Sequence, residues 1–131
     1  MRLLLDTHIW VWSQVEPDRL SREVRAALED PDAELWLSSI SVWELLLLIE
    51  RRRVTVTGEP ETWVQEALGG SPLREAPLTH AIALESRRVT LPHQDPADRF
   101  LAATARLLDL ALVTADARLL AARPCKLLAN R

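Results

Sequence analysis

The chemistry open to this sequence rests on its acids. Asp6 stands in "LLLDTH", Glu44 in "SVWELLLLIE", Asp95 and Asp98 in "HQDPADRF", and Asp116 in "LVTAD". Each has an ordinary structural explanation. Asp6 and Asp116 follow short apolar runs and precede helical stretches, where an Asp commonly caps the helix. Ser41-x-x-Glu44 has the form of a capping box. Pro96 suits the first helical position, which makes Asp95 the N-cap and Asp98 the third helical residue.

These explanations are not equally complete. The cap accounts for Asp95 in full. Asp98 gains only ~0.3–1 kcal/mol from the helix dipole at that position. It also shares a face with Leu101, Ala102 and Ala105, small residues that imply close packing against a sheet. Glu44 shares its face with Leu47 and Leu48, in a helix that is apolar almost all round from Val42 to Ile49. A carboxylate there costs several kcal/mol unless a cation or several donors satisfy it, and a capping bond supplies one donor. Asp98 and Glu44 therefore read as functional and Asp95 as a cap, while Asp6 and Asp116 fit either role. Thr114 is placed to orient a neighbouring carboxylate.

Brought together, Asp6, Glu44, Asp98 and Asp116 would repel one another and raise each other's pKa. A hard divalent cation relieves that repulsion, and Mg²⁺ or Mn²⁺ suits carboxylate and water ligands. No softer site competes. His8, His80 and His93 are scattered and Cys125 is alone; His93 reads as a surface or packing residue.

The elements that must position these acids alternate. Strands are expected at Arg2–Asp6, Glu34–Ser38, Ala111–Thr114 and Lys126–Ala129, with a short extended piece at Val54–Thr57. Helices are expected at Thr7–Gln14, Ser21–Glu29, Ser41–Arg52, Glu61–Leu68, Thr79–Arg88, Pro96–Leu108 and Asp116–Ala122. Short strands apolar on both faces, alternating with helices, imply an α/β fold with a parallel sheet of about five strands covered on both sides. Ligands bind outside the carboxyl ends of such strands, and Asp6 and Asp116 fall there.

A chain of 131 residues with 48% hydrophobic content is expected to form one globular domain over residues 1–131. No apolar run approaches the ~20 residues of a spanning helix. The absence of a signal-peptide pattern and the lone Cys125 point to a reducing compartment, so a cytoplasmic location is expected. The net charge of −3 does not favour a nucleic-acid partner. However, 15 of the 16 basic residues are Arg, which contacts phosphate in bidentate fashion, and two divalent cations would bring the balance to +1. Trp10, Trp12 and Trp43 are expected in the core or at a helix–helix contact. Arg51–Arg53 reads as a solvated helix end, with phosphate contact as the alternative; Arg87 and Arg88 are a similar case.

The stretches "LLLDTHIWVW", "LSSISVWEL", "DPADRFLAATA" and "LVTADARL" together resemble PIN-domain proteins, and among them the VapC-type toxins of bacterial toxin–antitoxin pairs. The resemblance runs from Arg2 to about Leu120. It implies a three-layer α/β/α fold and an Mg²⁺- or Mn²⁺-dependent ribonuclease holding one or two ions. The implied acidic quartet is Asp6, Glu44, Asp98 and Asp116, with Thr114 and Arg99 in support. It further implies products with a 3′-hydroxyl and a 5′-phosphate, an inhibitory antitoxin partner and a homodimer. Two rival readings are a receiver-like Mg²⁺ module that cuts nothing and an Asp-nucleophile phosphohydrolase. They want a second acid close after Asp6, where His8 stands. A degenerate PIN-like interaction domain would not need the intact quartet.

Overall fold

The computed structural model describes all 131 residues. Strand β1 (Arg2–Leu5) leads into helix α1 (Thr7–Val15), a single 3-10 turn at Pro17–Arg19, and α2 (Arg22–Glu29). Strand β2 (Glu34–Ser38) runs straight into α3 (Ser39–Glu50), which is followed by α4 (Pro60–Gly69) and β3 (Leu73–Ala76). Helices α5 (His80–Ser86) and α6 (Pro96–Leu108) precede β4 (Ala111–Thr114), α7 (Ala117–Ala122) and β5 (Leu127–Ala129). The five strands form one sheet in the order β3-β2-β1-β4-β5, and every pairing is parallel.

Side-chain alternation along the strands divides the core into two layers. Leu3, Leu5 and Val113 turn to one face, against Ile9, Trp10, Val24, Leu45 and Val64 of α1 to α4. Leu4 and Leu112 turn to the other, against Ile82, Leu101, Ala102, Ala105 and Leu119 of α5 to α7. Both faces of the sheet are covered, which yields the expected three-layer α/β/α architecture. The chain leaves β1 on one side towards β2 and returns on the other as β4. Strand order therefore reverses at β1, and a crevice opens at the carboxyl ends of β1 and β4.

The third strand lies elsewhere than expected. Val54–Thr57 is not in the sheet, and the edge position belongs to Leu73–Ala76. Arg74 and Glu75 are exposed there, so this edge strand lacks the apolar signature of its neighbours. Helix α3 starts two residues before the expected Ser41. Ser38 is its N-cap, accepting from the Ile40 amide at 3.1 Å. Ser41 is thus inside the helix, where its hydroxyl accepts from Thr7 Oγ1 at 3.0 Å, and the capping box with Glu44 does not form. Trp10 is fully buried and Trp12 half-buried, but Trp43 is 52% exposed, contrary to the core position expected for it. Helix α3 carries more apolar surface than one sheet face can cover; Leu45 faces inward and Trp43 outward.

The two neighbours on α3 should respond very differently to truncation. Leu45→Ala is expected to lower stability by about 2–5 kcal/mol, as for other buried leucines. Trp43→Ala is expected to cost less than about 1 kcal/mol in the isolated chain. Urea unfolding of both variants checks the assignment, and equal losses would contradict it.

Candidate functional site

The crevice at the carboxyl edge is a cavity of about 270 Å³, lined by Asp6, Glu44, Asp95, Asp98 and Asp116 together with His8, Trp12, Ala115 and Arg118. The four acids of the expected quartet are therefore brought together, each by a different element. Asp6 ends β1 and caps α1: its Oδ1 accepts from the Thr7 amide at 2.7 Å. Its Oδ2 accepts from the Thr114 hydroxyl at 2.6 Å. The same hydroxyl oxygen accepts from the Asp116 amide at 3.0 Å, so Thr114 fixes two acids at once. Asp116 in turn caps α7, accepting from the Arg118 and Leu119 amides at 2.8 and 3.3 Å. Glu44 is delivered by α3, half-buried. Asp98 is delivered by the first turn of α6 and is buried. Asp95 caps α6 as expected, accepting from the Ala97 amide at 3.0 Å, and it also borders the cavity.

Burial dominates the electrostatics. It pushes the Asp6 carboxyl above the usual range, against the opposing hydrogen bond from Thr114. Burial likewise raises Glu44, with the Asp6 charge adding to the effect. Asp98 is raised by burial to about 6, despite its bond to His93, with Asp95, Asp6 and Asp116 adding repulsion. Burial would raise Asp116 too, but the Arg118 guanidinium and the amides of Arg118 and Leu119 hold it below the usual range.

Two residues of the site escape sequence reasoning. His93, expected at the surface or in packing, places Nε2 2.8 Å from Asp98 Oδ2, while its buried Nδ1 has no partner. Arg118 donates to Asp116 Oδ2 at 3.2 Å and stands 3.8 Å from Asp98 Oδ2, the one guanidinium lining the acidic cavity. His93 sits in a loop without periodicity, and Arg118 is one exposed arginine among 15. The expected support from Arg99 takes another form. Its guanidinium does not line the cavity; it is buried and donates to the carbonyls of Val89 at 2.8 Å and Ser86 at 3.4 Å. Arg99 thereby anchors the segment that leads to His93.

The donor chemistry fits a hard divalent cation: four carboxylates beside a hydroxyl, three of them (Asp6, Glu44 and Asp98) raised in pKa chiefly by burial. In this arrangement no three His, Cys, Asp or Glu side chains converge closely enough to cage an ion. Such an open set differs from a zinc cage.

A reversed-order parallel sheet with four acids at its carboxyl edge defines a class, and residues 3–123 match the PIN domain family. The chain belongs to that family. It is 37% identical over 120 residues to Ribonuclease VapC22 of Mycobacterium tuberculosis, covering 89% of this chain and 88% of that protein, which places it among the VapC-type members. Solved structures share the fold. A chain in the crystal structure of VapBC2 from Rickettsia felis, bound to a DNA fragment from their promoter, superposes with a TM-score of 0.73 at 17% identity, covering 100% of both chains. FitAcB of Neisseria gonorrhoeae superposes with a TM-score of 0.66 at 24% identity over 95% of each chain.

Raised acid pKa values predict an unusual pH dependence for the metal-free protein. The folded chain holds the Asp98 proton more tightly than the unfolded chain does. This group's stabilising contribution is therefore present at low pH and is lost as pH rises through about 6. Asp98→Asn is expected to flatten that decline and to raise metal-free stability at pH 7 by on the order of 1 kcal/mol, after discounting for solvent in the open cavity. Urea midpoints at pH 4.5 and 7 in EDTA measure both; a variant less stable than the parent at pH 7 would contradict it.

Proposed function

We propose that the protein is a divalent-metal-dependent endoribonuclease, the toxin of a toxin–antitoxin pair, with one nuclease domain over residues 1–131. The observation that carries this reading is the convergence of Asp6, Glu44, Asp98 and Asp116, from four elements, on one cavity at the carboxyl edge of the sheet. The likeness to Ribonuclease VapC22 supports RNA as the substrate class. The superposition on VapBC and FitAB chains supports an antitoxin as partner. No helix is long and apolar enough to cross a membrane, and a cytoplasmic location agrees with the toxin reading. A homodimer, implied by the resemblance to VapC-type toxins, belongs to the same reading.

In this reading Asp6, Glu44, Asp98 and Asp116 would hold Mg²⁺ or Mn²⁺, one or two ions. Such an ion, when bound, would lower the pKa of a water and offset charge developing at the phosphate. Thr114 keeps Asp6 turned into the cavity, and His93 does the same for Asp98 through its Oδ2. Asp98 is held by His93 and Asp116 by Arg118. Glu44, raised by burial against a hydrogen bond from the Thr7 side chain, is the carboxylate we assign to accept the proton of the attacking water. The water oxygen bonds to phosphorus as the bond to the 3′-oxygen breaks, the leaving 3′-oxygen takes a proton from solvent while Glu44 releases its own to solvent, and the products carry a 3′-hydroxyl and a 5′-phosphate. Arg118, exposed at the rim, is placed to meet a phosphate oxygen.

Cleavage of total RNA by the purified chain should need Mg²⁺ or Mn²⁺ and stop in EDTA. Asp98→Asn is expected to lower it roughly 10²–10³-fold, corresponding to several kcal/mol of lost charge stabilisation. Asp95→Asn, which retains a good cap, should cut within a few-fold of the parent. Metal-independent cutting, or two variants of equal activity, would sink the reading. Separately, Thr114→Val keeps the shape but removes the donor to Asp6. It should weaken Mn²⁺ binding by about 10–100-fold, measured by calorimetry, and unchanged affinity would remove Thr114 from the site.

A further inference from the structure

The acidic cavity does not end at its own rim. Trp12 and His8 line it and also line a second cleft of about 610 Å³, between α1, the turn at Pro17–Arg19 and the carboxyl end of α3. That volume lies within the ~300–1,000 Å³ typical of ligand sites. The half-buried Trp12 indole stands between the two cavities and packs against the core behind it. The Arg19 guanidinium lies 4.3 Å from its ring centroid, and the His8 ring lies 5.8 Å away at a tilt of 54°.

Arg53 lines the same cleft beside Leu48. It is brought there by the way α3 ends. Arg52 adopts φ 58°, a left-handed conformation uncommon for a residue other than glycine, and Arg53 N–H then donates to the Leu48 carbonyl at 2.9 Å. The charged side chains facing the cleft are Arg19 and Arg53 against a single acid, Glu16, which stands 3.9 Å from Arg19.

Resting on the nuclease reading above, we propose that this cleft is a nucleotide subsite for single-stranded RNA. The base of a residue near the scissile phosphate stacks on the Trp12–Arg19 pair, and the adjoining phosphate is met by Arg53. Three observations favour RNA over an apolar protein segment. The cleft adjoins the acidic cavity, with His8 and Trp12 lining both. An aromatic ring beside a guanidinium is the surface on which unpaired bases stack. A chain of net charge −3 also needs local cations to hold a polyanion next to its acids, and Arg19 and Arg53 stand where a strand leaves them.

The test uses a 5′-fluorescein-labelled uridine decanucleotide and fluorescence anisotropy in Mg²⁺. The full chain carries Asp98→Asn so that the strand stays intact. Adding Trp12→Ala is expected to weaken binding roughly five-fold or more, the loss of one stacked base. Trp12→Phe, which keeps an aromatic face, should restore most of the affinity. Arg53→Ala, at an exposed position, should reduce the slope of log affinity against log salt by about 0.7, one phosphate contact to a single strand. Equal affinity and equal salt slope in all these chains would overturn the subsite and leave the cleft to an apolar protein segment; no binding by the Asp98→Asn chain would overturn it too. The nuclease reading fails by a different sign: the parent chain leaves RNA intact in Mg²⁺ and Mn²⁺, whatever the binding data show.

Discussion

One hydroxyl holds the centre of this molecule together. Thr114, fully buried at the end of β4, donates to Asp6 at the end of β1 and accepts from the Asp116 amide at the start of α7. It can do so only because β1 and β4 are parallel neighbours whose registers end together, with Leu5 opposite Val113. The sheet thus places the Thr114 hydroxyl within hydrogen-bond distance of both the Asp6 carboxylate and the Asp116 amide. Everything else in the cavity is arranged around that pair: α3 brings Glu44 from one side and α6 brings Asp98 from the other.

Holding acids this close works against folding. Burial raises Asp6, Glu44 and Asp98, and the charges add to one another's shifts. The structure offsets part of this with helix N-termini, since Asp6, Asp95 and Asp116 all serve as N-caps. Arg118 and His93 offset more, each reaching Asp98 or Asp116 from outside the quartet. The caps explain why a position-by-position reading of these acids is ambiguous. A helix cap and a place in the cavity are not alternatives here, because one carboxylate has both: Asp6 accepts a helix amide on one oxygen while its other oxygen is held by Thr114 within the cavity.

Much of this was legible in the sequence, for physical reasons that also mark where legibility ended. Buried strands such as Arg2–Leu5 and Ala111–Thr114 announce themselves by composition, and the Asp95-Pro96 start of α6 by its cap. The edge strand Leu73–Ala76 did not, because an edge with exposed Arg74 and Glu75 has no apolar pattern to read. Val54–Thr57 has the β-branched composition of a strand yet lies in the segment following α3, outside the sheet. Trp43 was misplaced because hydrophobicity alone cannot say which side of an all-apolar helix meets the core. His93 and Arg118 belong to the site only through tertiary contacts, and no spacing rule connects a loop histidine or a lone exposed arginine to Asp98.

The misplaced residues share a direction. Trp43 lies further out than its type suggests, and His93 further in. Arg99 is next to Asp98 in sequence but spends its guanidinium on backbone carbonyls of a different segment, so sequence adjacency and site membership part company within a single helical turn. On a helix, successive side chains point about 100° apart. A helix that presents Asp98 to a cavity at the sheet edge must therefore present Arg99 elsewhere. The residue that can help Asp98 has to come from another element, and here it comes from the loop that Arg99 itself tethers. The positive charge next to the acid in sequence thus acts at one remove, by fixing the start of the segment from which His93 reaches in.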